Sequence, residues 1–309
     1  MSERGDSAAI GLVGPSRAGI SVCEALRQHS SFSWSYIWTR DLNTWRQGAN
    51  AASAKERQLQ VLSARSGLAA IAERCDLIVI GVRDEAIAEV AGQLATSAPL
   101  HREGPAPLVL HLAGRFGSEI LAPCTKVGYR VAAFHPAAGF PEPRWSGDGL
   151  QGVFCALEAA PEDFRWLATS AKAAGAKCFP LEPEQRRGYH AAAATASNFS
   201  VTLIDFAISQ LTDVGVEPLR ARDLALDLAR RALADLADRG PERALTGPIR
   251  RGDGAAISAH LESLGDEKSA RELYFALARR TLDLARRADA KVDRSFIERL
   301  LLDDNSAEE

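Results

Sequence analysis

The chain has 309 residues, 46% of them hydrophobic and 25% charged, with 37 Lys plus Arg against 40 Asp plus Glu and a formal net charge of −3. That length suits about two domains, and the apolar content is enough to bury two cores, which excludes disorder over most of the chain. The near balance of charge leaves no broad basic field for nucleic acid or an anionic membrane, and no unbroken run of 18 apolar residues offers a membrane span.

The polar start, residues 1–7, leads straight into a strand-like run and does not read as a signal peptide. The five cysteines (Cys23, Cys75, Cys124, Cys155, Cys178) are scattered, with no CxxC pair. This suits neither a disulfide framework nor a zinc site and fits a reducing cytoplasm. The expectation is a cytoplasmic enzyme without a metal.

In chain order, residues 9–13 and 34–38 read as strands, followed by 77–80, 108–112, 131–134, 152–157 and 178–181. The run Leu77-Ile78-Val79-Ile80 is apolar throughout, as expected of a strand covered on both faces. Helical patterns over 19–29, 67–74, 84–94 and 161–174 separate most of these strands. The alternation predicts a doubly wound α/β domain with mostly parallel strands over residues 1–183. Beyond Pro183 the strands stop. One helix of roughly thirty residues is expected from Glu184 to about Val214, then helices over 219–239, 255–264, 268–288 and 295–302. Residues 184–309 are therefore predicted to form an all-helical domain, with the acidic end, 303–309, frayed.

Gly14-Pro15-Ser16-Arg17-Ala18-Gly19 follows the first strand and opens the first helix, the position of a dinucleotide-binding GxGxxG turn. Gly14 makes the tight turn and Gly19 lets helix and strand pack closely. The unpaired N–H groups and positive dipole end of the helix then face a diphosphate. Ser16 stands where the middle glycine is usual: its hydroxyl either donates to phosphate or crowds it. At the end of the second strand, where an NAD site carries an acid, this chain has Thr39-Arg40. An arginine pairs with a 2′-phosphate, so NADP is favoured over NAD. Asp41, one place further on, is the alternative ribose ligand.

Other strand ends collect at the same crevice: Gly81-Val82-Arg83-Asp84, His111-Leu112-Ala113-Gly114 and Phe134-His135-Pro136. Val82, Arg83 and Ala113 are expected to line the cofactor site. Asp84 reads as a helix N-cap, and His135 as a contact to substrate or nicotinamide or, equally, a structural histidine. Within the long predicted helix, His190, Ala194 and Asn198 fall at i, i+4 and i+8, on one face with small residues between them. Reducing a ketone with hydride needs a proton donor and a group that orients the carbonyl. His190 suits the first role and Asn198 the second. In the loop from Ala244 to Asp253, Thr246 and Asp253 are candidate substrate contacts, and Arg250 or Arg251 a carboxylate holder. The plain alternative for Asp253 is a helix cap.

The order of these pieces resembles a family of two-domain Rossmann-like proteins whose C-terminal helical domain was long of unknown function. The matching stretches are Gly14 to Gly19, Phe134-His135-Pro136, Tyr189-His190 with Ser197-Asn198, and Leu245-Thr246-Gly247-Pro248 with Arg251-Gly252-Asp253. That family is related to 6-phosphogluconate-dehydrogenase-like reductases, and some members act as alternative ketopantoate reductases. The resemblance implies an NADP(H)-dependent oxidoreductase acting on a small keto or hydroxy acid held between the domains. By analogy with the better-known ketopantoate reductases, it places His190 at a helix lysine, Asn198 at an asparagine and Thr246 near a substrate-binding serine. Ala194 departs from that pattern, and Ser16 and Ala113 depart from the closer family. A catalytically silent NADP-binding or metabolite-sensing protein is the alternative. The alanine-rich long helix, with heptad-like Leu224, Leu228 and Ala232, points to a homodimer formed through the helical domain.

Overall fold

A computed structural model describes residues 8–99, 102 and 104–302. The polar start and the acidic end considered above lie outside the described residues. The described chain falls into two compact units, residues 1–198 and 199–309. The division comes after the first stretch of the expected long helix, not at Pro183.

The first unit is built on an eight-stranded sheet in the order β3-β2-β1-β4-β5-β6-β7-β8. The strands are β1 (Ala8–Val13), β2 (Phe32–Trp38), β3 (Gln60–Leu62), β4 (Leu77–Ile80), β5 (Leu108–His111), β6 (Arg130–Pro136), β7 (Phe154–Ala159) and β8 (Lys177–Pro180). All pairs are parallel except β6 with β7. β3 was not expected; three residues on the sheet edge give too short a pattern to read. The helices are α1 (Arg17–His29), α2 (Leu42–Gln47), α3 (Asn50–Glu56), α4 (Ala64–Arg74), α5 (Ile87–Thr96), α6 (Ala122–Lys126), α7 (Pro161–Ala173) and α8 (Arg186–Ala196).

The period-two alternation of strand side chains divides the core. Ile10, Leu12, Leu77, Val79, Leu108 and Leu110 pack on the face shared with Ile20, Leu26 and Leu167. Val13, Ile78, Ile80 and Val109 pack on the other, with Leu68, Ile71, Ile87 and Leu94. Each such side chain contributes about 1.5–3 kcal/mol on burial. Covering both faces forces crossovers to both sides of the sheet, so the carboxyl ends of β1, β2, β4, β5 and β6 come to one edge.

The second unit contains α9 (Asn198–Asp213), of which all but Asn198 lies in it, and α10 (Pro218–Arg239), α11 (Pro241–Ala244), α12 (Pro248–Arg251), α13 (Gly254–Ser263), α14 (Lys268–Ala288) and α15 (Ser295–Leu302). Ile249, Ile257, Leu261, Phe275, Leu282, Ile297 and Leu301 form its core. Buried Arg294 closes the loops of this unit, donating to the carbonyls of Ile249 at 2.9 Å, Asp289 at 2.7 Å and Arg250 at 2.5 Å.

The expected thirty-residue helix is interrupted. Ser197 (φ −110°, ψ −72°) stays in the right-handed region but is distorted, and separates α8 from α9. Residues Pro183–Asp213 still form a run long and apolar enough to cross a membrane by length and composition, with a mean hydropathy of 1.3 over its best window and none of that window buried. Counting unbroken apolar residues missed it, because threonines and serines interrupt the run without lowering its mean hydropathy far.

Candidate functional site

The turn from β1 to α1 is set by its backbone. Gly14 has φ +85°, and a Cβ there would meet Val82 Cγ1 at 2.3 Å. Its N–H donates to the Trp38 carbonyl at 2.9 Å, and the Ser16 N–H donates to the Gly14 carbonyl at 2.9 Å. Ser16 is the N-cap of α1: its Oγ accepts from the Gly19 N–H at 3.1 Å. The side chain is folded back onto its own helix, and a hydroxyl that accepts still has a proton to donate. Gly19 is buried beneath Leu12, whose Cδ1 would lie 2.8 Å from a Cβ added there.

A cavity of about 540 Å³ opens at this turn, lined by Gly14, Pro15, Ser16, Thr39, Arg40, Gly81, Val82 and Arg83. Of the expected cofactor residues, Arg17, Ala18, Gly19 and Ala113 do not line it. Arg17 is turned away, donating to the Pro141 carbonyl at 2.7 Å. Ala113 is buried at the end of β5, its N–H donating to His111 Nδ1 at 3.2 Å. Trp38, Ala86, Glu89, Val90 and Gln93 complete the wall and were not expected. Glu89 and Gln93 stand one helical turn apart on α5 and share a 2.9 Å hydrogen bond, an i,i+4 pairing visible in the sequence only once that helix face is known to border a cavity.

Asp41 is engaged elsewhere. It caps α2, accepting from the backbone N–H groups of Asn43 and Thr44 at 3.0 Å each and from the Thr44 hydroxyl at 2.6 Å. The Thr44 hydroxyl, followed by its N–H, holds the Asp41 carboxyl below its ordinary pKa. Arg40 is exposed on the cavity rim. Asp84 is not the N-cap expected of it: it begins a short 3-10 turn, and its carboxylate pairs with Arg115 at 2.9 Å.

A second group of side chains gathers over the ends of β5 and β6. His135 Nδ1 lies 2.8 Å from the Tyr189 hydroxyl, with the rings edge to face at 84°. His190, one residue on, stands edge-on to His135 with 6.1 Å between ring centroids. Both imidazoles close over Gly114, where a Cβ would lie 2.7 Å from His190 Nδ1 and 2.8 Å from His135 Nε2. Only a residue without a side chain permits that convergence. Burial first, then His190 and Arg186, push the His135 pKa down to about 4, so the ring is neutral at pH 7.

Beneath this pair, His111 is buried with Nε2 2.9 Å from the Gly117 carbonyl. Since its Nδ1 accepts from Ala113, the ring proton is on Nε2. Arg186, on the first turn of α8 and 1% exposed, donates to Glu158 Oε2 at 2.6 Å. Glu158 also accepts from the Ser118 N–H at 2.9 Å and hydroxyl at 2.6 Å. Burial opposes ionisation of Glu158, but these donors prevail and its pKa is lowered. Tyr189 is named from sequence only as part of a matching stretch, with no role, and Arg186 and Glu158 are not singled out there; Arg186 and His190 at i and i+4 are the signal that was there to read.

Two family models match the chain: a Rossmann-like domain over residues 6–136 and the domain of unknown function DUF2520 over 153–281. The chain is a Rossmann-like domain followed by a DUF2520 domain. No curated protein matches it. Among solved structures, it is similar to a Bacteroides fragilis protein provisionally named an NADP oxidoreductase, at 21% identity over 90% of this chain and 98% of that one, TM-score 0.68. A Thermotoga maritima protein, TM1727, is 21% identical over 89% and 98%, TM-score 0.66. Plasmodium falciparum pyrroline carboxylate reductase, solved with NADP bound, is 11% identical over 91% and 100%, TM-score 0.56. These likenesses establish the fold.

The DUF2520 match begins before β7 and ends within α14, so it takes in the last two strands as well as the helices up to residue 281. Within the helical unit, Asp253 caps α13 by accepting from the Ala256 N–H at 3.1 Å, which occupies the carboxylate expected to reach substrate. Arg250 donates to the Glu242 and Leu245 carbonyls and so shapes its own loop. Thr246 is exposed. The break at Ser197 puts His190 on α8 and Asn198 at the start of α9, so the spacing of one continuous helix no longer fixes them on a common face.

Proposed function

We propose that this chain is an NADP(H)-dependent oxidoreductase that reduces a small keto acid, with ketopantoate the first substrate to try. The observation that carries the reading is the placement of a cavity and an imidazole pair at the carboxyl edge of one sheet. The cavity fits an adenine dinucleotide. Its floor is a left-handed glycine turn leading into a capped 13-residue helix, the Ser16 side chain lies back against Gly19, and Arg40 and Arg83 stand on the rim. The turn and helix N-terminus would hold the diphosphate, and Arg40 the 2′-phosphate.

Bound NADPH supplies a hydride. His190, which closes over Gly114 beside His135, holds the proton that the developing alkoxide takes up. His135, held neutral, hydrogen-bonds the same oxygen, and Asn198 is the proposed carbonyl orienter.

We also propose a homodimer, formed through α9 and α10. Phe199 and Val201 are 61% and 71% exposed, Leu228 and Leu233 57% and 63%. Exposed apolar surface on this scale marks an interface. On α10 the leucines are interleaved with Arg220, Arg222, Arg230 and Arg231 and with Asp223, Asp227 and Asp235. A second copy of a surface bearing both signs is complementary to it, whereas a lipid surface is not. Light scattering that gives twice the chain mass supports this; a monomer that sediments with vesicles overturns it.

The function is tested by thermal shift with NADPH and NADH, then by NADPH oxidation across a panel of small keto acids that includes ketopantoate. A larger Tm rise with NADPH and turnover of at least one acid are expected. Tight NADPH retention with no turnover of any acid favours the silent sensing protein instead.

A further inference from the structure

Tyr189 is not part of the reading above, yet its hydroxyl is aimed at a ring that is. Its ring packs edge-on to Phe179, with centroids 6.0 Å apart, and among the described residues the partner of its hydroxyl is His135 Nδ1 at 2.8 Å. A phenol is an acid with one proton to place, and an imidazole nitrogen with a lone pair is the acceptor in reach. If Nδ1 instead carried hydrogen, the phenol proton would have to turn away from the pocket. The contact therefore favours the tautomer in which Nδ1 accepts and Nε2 carries hydrogen, and Nε2 is the atom that closes over Gly114 beside His190 Nδ1.

We propose that Tyr189 is a positioning residue that fixes His135 as a neutral Nε2–H donor, so that of the two imidazoles over Gly114 His190 alone carries the exchangeable proton. This rests on the reductase reading for its use but not for its geometry. Two protonated imidazoles side by side repel each other, and a pair divides its tasks only if the surroundings separate its protonation states. Those surroundings are His190 and Arg186 on α8, His111 on β5, Asp84 after β4, and Tyr189 itself; three of the four charged or titratable neighbours other than Tyr189 disfavour a cationic His135, Asp84 alone favouring it. In the reaction the hydride brings both electrons to the carbonyl carbon, the C=O π pair moves to oxygen, and His190 gives that oxygen its proton. His135 donates a hydrogen bond throughout and gains or loses nothing.

The test is a long-range ¹H–¹⁵N spectrum of the full-length protein, which distinguishes protonated from unprotonated ring nitrogens, recorded for the wild type and Tyr189→Phe. The expected wild-type form of His135 is Nε2–H, giving way to a tautomer mixture in Tyr189→Phe. In the latter, kcat falls about tenfold with KM little changed, and the NADPH-induced Tm rise is kept. An Nδ1–H form in the wild type, or an unchanged His135 in the variant, overturns the proposal. The spectrum needs neither cofactor nor turnover, so it decides Tyr189's role separately: absence of any NADPH-dependent Tm rise in the wild type counts against the reductase reading. Should Tyr189→Phe fail to fold, the wild-type spectrum alone still decides the tautomer.

Discussion

Thr44 donates both its backbone N–H and its hydroxyl to the carboxylate of Asp41, at 3.0 and 2.6 Å. With Asp41 so engaged, Arg40 on the cavity rim is the residue proposed to meet the 2′-phosphate. Replacing Arg40 with Ala is expected to weaken NADPH binding by about tenfold, the worth of one charge-assisted contact of 1.4 kcal/mol or more, and to leave NADH nearly unaffected. Calorimetric titration of both coenzymes checks this; equal losses would remove the preference.

His190→Ala should lower kcat by about 10²- to 10⁴-fold, the usual range for a lost general acid, with coenzyme affinity unchanged because the cavity at Gly14 lies over other strands. Steady-state kinetics beside a coenzyme titration separate the two. Full turnover in the variant would dismiss the imidazole as the acid.

Removing the partner of a buried charge is costly. Glu158→Ala leaves Arg186, 1% exposed, without its carboxylate, and a loss of about 3–5 kcal/mol is expected. All five tryptophans (34, 38, 45, 145 and 166) lie in the first compact unit, so urea denaturation followed by tryptophan fluorescence reports that unit directly. The pair also carries an acid limb. The folded pKa of Glu158 is depressed, so its contribution is present above the unfolded carboxylate pKa and fades as pH falls through the lower folded value.

His135 acts at higher pH. Its folded pKa of about 4 is below the ordinary 6.5, so the unfolded chain binds the extra proton more readily. Stability is complete above pH 6.5 and declines toward pH 4, by an amount on the order of 3 kcal/mol. In His135→Gln that slope should flatten, leaving the carboxylate limb below it. A slope identical to the wild type would show that the histidine is not buried neutral.

Strand positions were legible where four or more apolar residues ran together, as at Leu77–Ile80, because burial on both faces leaves no polar position in the run. β3 was not, since Gln60–Leu62 draws its identity from Tyr36, Ile37 and Trp38 alongside it. The helix beginning at Lys268 could be placed to the residue, whereas the break at Ser197 could not: Ser-Asn is compatible with a helix interior, and only backbone geometry distinguishes the two cases. For the site, the turn, Arg40 and the two histidines were readable because each type has a chemistry of its own at that position. Tyr189 was quoted only as His190's neighbour, without a role, because its hydrogen-bond partner is a ring fifty-four positions away.

Gly14 and Gly81 exclude side chains from each other's space: a Cβ on Gly81 would stand 2.7 Å from the Gly14 carbonyl oxygen, and one on Gly14 3.0 Å from that of Gly81. Anyone seeking to retune coenzyme choice in this protein is therefore confined to the outer lip, at Arg40, Arg83 and the Glu89–Gln93 pair. The base of the cleft tolerates no added atom, and variants made there would report collapse of the turn rather than a changed preference.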